Sequence, residues 1–94
     1  MKVEDALKAL EENQTDKVLK YIEDRPTEVF KYSDPDLLAT FKDIREDTLN
    51  QYLYNLARGG KISKVRIDKH IYIGTKAAID EFVSKLPSGK TAKR

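Results

Sequence analysis

Few side chains in this sequence could do chemistry, and their types point to binding. Asn50 and Gln51 carry amides able to pair with the edge of an adenine. They stand in a segment, 45–58, that also holds Arg45, Glu46, Asp47, Tyr54 and Arg58. A second group follows closely: Lys61, Lys64, Arg66, Lys69 and His70, all suited to phosphate. Sets suited to catalysis are not formed. The sequence has no cysteine and one histidine, which excludes thiolate nucleophiles, disulfides and the usual Cys and Cys/His zinc sites. A triad or a histidine metal cage would lack its members. Asp34, Asp36 and Asp43 read as caps and turns, not as cation ligands. No enzyme activity, cofactor or metal is expected.

Charge separates along the chain. Eighteen basic and sixteen acidic residues leave a net +2 over 94 residues. Residues 1–34 carry six basic and nine acidic side chains, 35–60 three and four, and 61–94 nine and three. The last third is therefore net +6, a polarity suited to an anionic partner. No stretch approaches the ~20 apolar residues of a membrane span, and no secretory leader pattern opens the sequence. The expectation is a soluble protein, cytoplasmic or nucleoid-associated, with no membrane partner.

The elements that must position these residues follow from periodicity. Val3, Ala6, Leu7 and Leu10 recur at helical spacing over 3–13, and Val18, Leu19 and Ile22 over 16–24. Thr15 as an N-cap predicts a break at Asn13–Gln14–Thr15 and two helices; a single long helix stays open, because the apolar period nearly continues through Gln14. Pro26 stops this region, and Val29–Tyr32 is a short β-prone run. Ser33–Asp34–Pro35–Asp36 reads as a capped helix start with proline at its first position, ahead of Leu37, Leu38 and Phe41. Leu49, Tyr52, Leu53 and Leu56 form the buried stripe of the helix over 45–58, and Gly59–Gly60 ends it.

Ile62–Ile73 predicts a β-hairpin. If Val65, Ile67, Ile71 and Ile73 share one buried face, the loop must be the three residues Asp68–Lys69–His70, with Lys64, Arg66 and Tyr72 on the other face. Thr75 caps a last helix over 76–86, with Ala78, Ile79, Phe82, Val83 and Leu86 as its stripe, and Pro87 closes it. Residues 1–87 form one domain, mainly α with a small β-hairpin (α+β), in which 3–13 is an extra N-terminal helix. Residues 88–94 form a flexible basic tail.

Two helices joined by a tight turn and followed by a hairpin resemble the winged helix-turn-helix superfamily over residues 16–86. The resemblance rests on Tyr32-Ser33-Asp34 leading into Leu37-Leu38, on Ile44 in the turn, on Thr48-Leu49 opening the next helix, and on the Leu56…Gly60-x-Ile62 spacing. It implies a winged helix-turn-helix with an extra N-terminal helix that binds double-stranded DNA. The chain would be a transcriptional regulator or a plasmid- or virus-type organising factor. By this resemblance 45–58 is the recognition helix in the major groove and 62–73 the wing on phosphates or the minor groove. The DNA-contacting residues would be Arg45, Glu46, Asn50, Gln51, Tyr54, Arg58, Lys61, Lys64, Arg66, Lys69 and His70.

The 45–58 helix is electrically neutral, a departure from many DNA readers, and its acidic first turn motivates the alternative of a protein–protein interaction subunit that does not bind DNA. A resemblance over about 30–56 to the winged-helix proteins associated with dissimilatory sulphite reductase points the same way. RNA binding through the basic hairpin is a third reading. Val3, Leu7 and Leu10 must bury either on the same domain or against Ile79, Phe82 and Leu86 of a second copy; a homodimer through the N-terminal and C-terminal helices is the expectation.

Overall fold

The computed structural model describes residues 1–87 and the backbone of Ala92–Lys93. The chain is mixed α+β. Helix α1 (Val3–Glu23) leads to strand β1 (Val29–Lys31), then α2 (Pro35–Thr40) and α3 (Glu46–Arg58), the hairpin β2 (Ser63–Ile67) and β3 (His70–Gly74), α4 (Lys76–Ser84) and a two-residue β4 (Ala92–Lys93). The sheet is antiparallel in the order β1-β3-β2-β4, so β3 lies in its interior. The tail expected over 88–94 lies outside the described residues except where the backbone of Ala92–Lys93 pairs with Arg66 and Ile67.

Residues 3–23 form one helix, and the expected break at Asn13–Gln14–Thr15 does not occur. Thr15 turns its hydroxyl back onto the Glu11 carbonyl at 2.7 Å, an intrahelical bond in place of a cap. Gln14 accepts the Tyr52 hydroxyl at 2.7 Å, which ties the middle of α1 to α3. With no glycine or proline there, nothing opposes continuation.

The hairpin also departs from expectation. Ile67 pairs with His70, Arg66 with Ile71 and Val65 with Tyr72, so the turn is the two residues Asp68–Lys69. Asp68 takes φ +57°, the left-handed value that primed hairpin turns need at their first central position. This register splits the apolar residues between the faces, because both faces are covered. Phe30, Ile71 and Ile73 look onto the main core with Val18, Ile22, Leu37, Leu49 and Leu53. Val65, Ile67 and Tyr72 look the other way, onto Ile79, Phe82 and Leu86 of the C-terminal segment. Tyr72 therefore parts from Lys64 and Arg66 and stands edge-on to Phe82, ring centres 4.9 Å apart. The assumption of one buried face fails because α4 supplies a second.

Local signals elsewhere act as read. Asp34 caps α2 by accepting from the Asp36 N–H, with Pro35 at the first helical position. Gly60 (φ +76°) closes α3, its N–H reaching the Ala57 carbonyl while Lys61 N–H reaches that of Leu56. No described helix is long and apolar enough to cross a membrane.

Candidate nucleic-acid interface

With Leu49, Tyr52, Leu53 and Leu56 buried, helical geometry leaves Asp47, Gln51, Tyr54 and Arg58 as one outward stripe on α3, at i, i+4, i+7 and i+11. Each is exposed. Asp47 receives Arg45 at 3.4 Å, so the acidic start of α3 is partly neutralised by its own N-cap residue. Glu46 stands beside them, at the end of α3 opposite Arg58. Gln51 donates to Asn55 at 3.2 Å on the open surface.

Asn50 is placed differently from its neighbour. Its Oδ1 accepts the Ser33 backbone N–H at 2.8 Å and its Nδ2 donates to Ser33 Oγ at 3.0 Å. Both ends of the amide that could read an adenine thus hold the turn between β1 and α2. That turn is costly to form without help, since Ser33 sits at φ +58°. Nothing in the spacing of the sequence announces this clasp.

The hairpin brings its cations to the same side. Lys64 and Arg66 share the sheet face of Ile71 and Ile73, and the Lys64 ammonium lies 5.7 Å from the centre of the Tyr54 ring. Arg66 Nε reaches toward the Asp68 carbonyl at 3.4 Å. Lys61 follows directly on the α3 cap. Lys69 forms the turn, and His70, paired with Ile67, belongs to the opposite face, its ring centre 6.4 Å from that of Tyr72. Lys64 is therefore brought to Tyr54, with Arg66 two residues along on the same sheet face and Gln51 and Arg58 on the helix stripe of Tyr54. Asn50 is turned into the fold, and His70 is set apart.

Behind this surface lies Tyr32, which residue types alone did not single out. Its hydroxyl is buried with no hydrogen-bond partner. Burial first, and the neighbouring Tyr54 second, push its pKa above the usual tyrosine value. Among the described residues, no three His, Asp or Glu side chains gather as a metal cage. No family model, no curated protein and no solved structure matches this chain.

Proposed function

We propose that the chain is a small winged-helix protein that binds double-stranded DNA in a sequence-dependent way, with α3 in the major groove and the β2–β3 hairpin on the phosphates beside it. The observation that carries this reading is the Lys64 ammonium 5.7 Å from the ring of Tyr54, which joins hairpin and helix into one continuous face. Gln51 is the exposed amide that reads a base edge, exchanging its surface bond to Asn55 for the base; Tyr54 offers a ring for a sugar or a thymine methyl, and Arg58, Lys61, Lys64 and Arg66 supply charge. The Arg45–Asp47 pair lowers the electrostatic cost of an acidic helix start near phosphate.

About four to six phosphate contacts give a log-affinity against log-salt slope of about −4 to −5. Changing Lys64→Ala with Arg66→Ala weakens all duplexes alike and makes that slope shallower by about two. Gln51→Ala relaxes preference among sequences at nearly constant non-specific affinity. Gel-shift titration over a salt series reads both. Salt-independent association, or binding untouched by these changes, overturns the proposal. Recovery of one stoichiometric protein partner without duplex binding would instead favour the interaction subunit that the acidic start of α3 suggests.

A further inference from the structure

We propose that the hollow beside the hairpin tip is a binding site for a phosphate monoester with a small organic body, of the nucleoside monophosphate class. The sheet geometry creates it. Lys31, the last residue of β1, pairs with Tyr72, so His70 and Ile71 of β3 run on past the end of β1. There the chain turns away at Ser33 and enters α2 at Pro35. The space left is 430 Å³, lined by Lys31, Tyr32, Ser33, Pro35, Lys69, His70 and Ile71. Small-molecule sites span roughly 300–1,000 Å³, so a mononucleotide-sized ligand fits the scale.

The lining has one sign. It contains two lysines, a histidine and no carboxylate. The nearby Asp34 does not line it, and its carboxylate accepts the backbone N–H groups of Lys31 and Asp36. Among the described residues neither Lys31 nor Lys69 has an ion-pair partner. Ser33 Oγ accepts from Asn50, which leaves its hydroxyl proton to donate to a ligand. Two ammonium groups match the two charges of a phosphate monoester, whereas one carboxylate would leave an ammonium uncompensated. Tyr32, Pro35 and Ile71 give apolar walls that a bare phosphate would leave wet. The monoester has two sources: a free nucleotide, or the terminal phosphate of a strand held on the surface described above, since phosphates within a strand are diesters with one charge. The inference does not depend on duplex binding, since Lys31, Tyr32 and Ser33 have no part in that surface.

Titration of the full chain with AMP, and separately with inorganic phosphate, followed by amide NMR, tests it. Saturable shifts are expected at Lys31, Ser33, Lys69, His70 and Ile71, with AMP binding tighter than phosphate. Lys31→Gln and Lys69→Gln each weaken AMP about tenfold, the loss of one charge-assisted contact. Lys64→Ala with Arg66→Ala leaves AMP affinity unchanged. Spectral dispersion of each variant reports that it is folded. Added duplex bearing 5′-phosphates displaces AMP if a strand end fills the hollow, and binds alongside it if the ligand is free. No saturation by either probe into the millimolar range, or shifts indifferent to both lysine changes, overturns the inference. AMP binding without duplex binding would refute the DNA reading alone.

Discussion

Tyr32 and Asn50 are opposite cases of the same rule about buried polar groups. The Tyr32 hydroxyl is sequestered without a partner, so removing it recovers a desolvation cost. Tyr32→Phe is expected to stabilise the fold by about 1 kcal/mol in urea denaturation. Asn50→Ala strands the Ser33 N–H and hydroxyl and is expected to destabilise by about 1–2 kcal/mol. Burial also raises the pKa of Tyr52, with Glu11 adding to the effect. For both tyrosines the folded value exceeds the unfolded one of about 10, so the unfolded chain gives up its protons first. Their contribution is complete below pH ~10 and is lost as pH rises through the folded values. Unfolding free energies measured at increasing alkaline pH should fall, and fall less steeply in Tyr32→Phe. The two residues also mark how far residue types can be read. Asn50 has the chemistry of a base reader, but its use is decided by Ser33, seventeen positions away.

At the scale of elements, signals confined to a few neighbouring residues were legible. The Asp34–Pro35 start, the glycine stop of α3 and the Thr75 cap each depend on atoms within one turn, and each forms. Thr75 accepts from Ala78 N–H at 3.1 Å and donates to the Pro26 carbonyl at 3.0 Å. Thr75→Ala should therefore cost about 1 kcal/mol or slightly more, read as a lowered thermal midpoint. The hairpin register was not legible, because it depends on what covers each face. An alternating strand looks alike whether its second face meets water or α4. The break in α1 failed for a related reason: Thr15 is a good cap in isolation, but Gln14 is drawn to Tyr52, which no local pattern contains. For the candidate interface, the helix stripe and the basic hairpin could be read from sequence. The Lys64–Tyr54 approach and the hollow at Lys31 required the sheet.

At the scale of the whole molecule, α1 outruns the body it packs on. Val18 and Ile22 are fully buried, whereas Val3, Leu7 and Leu10 remain 75%, 55% and 58% exposed. Of the two stripes expected to form a homodimer, Ile79, Phe82 and Leu86 are used on the chain's own sheet. The α1 stripe is what remains for a second copy. Leu7→Glu with Leu10→Glu is expected to change unfolding of the monomer by less than about 1 kcal/mol. Sedimentation of the two proteins then decides the matter: a dimer lost on substitution assigns the contact to α1, and a monomer in both removes it. The position of β3 has a further consequence, for the order of events in time. The hairpin closes across a two-residue turn, whereas β1 reaches β3 from far along the chain, Phe30 opposite Ile73. Local closure is fast and distant closure slow, so the hairpin zips early and β1 docks late. The seam made last is also the one that opens most readily. Amide exchange should then be slower at Val65 than at Phe30, whose N–H faces β3, with the Ser33 clasp and the hollow at Lys31 opening together, on a clock separate from that of the hairpin.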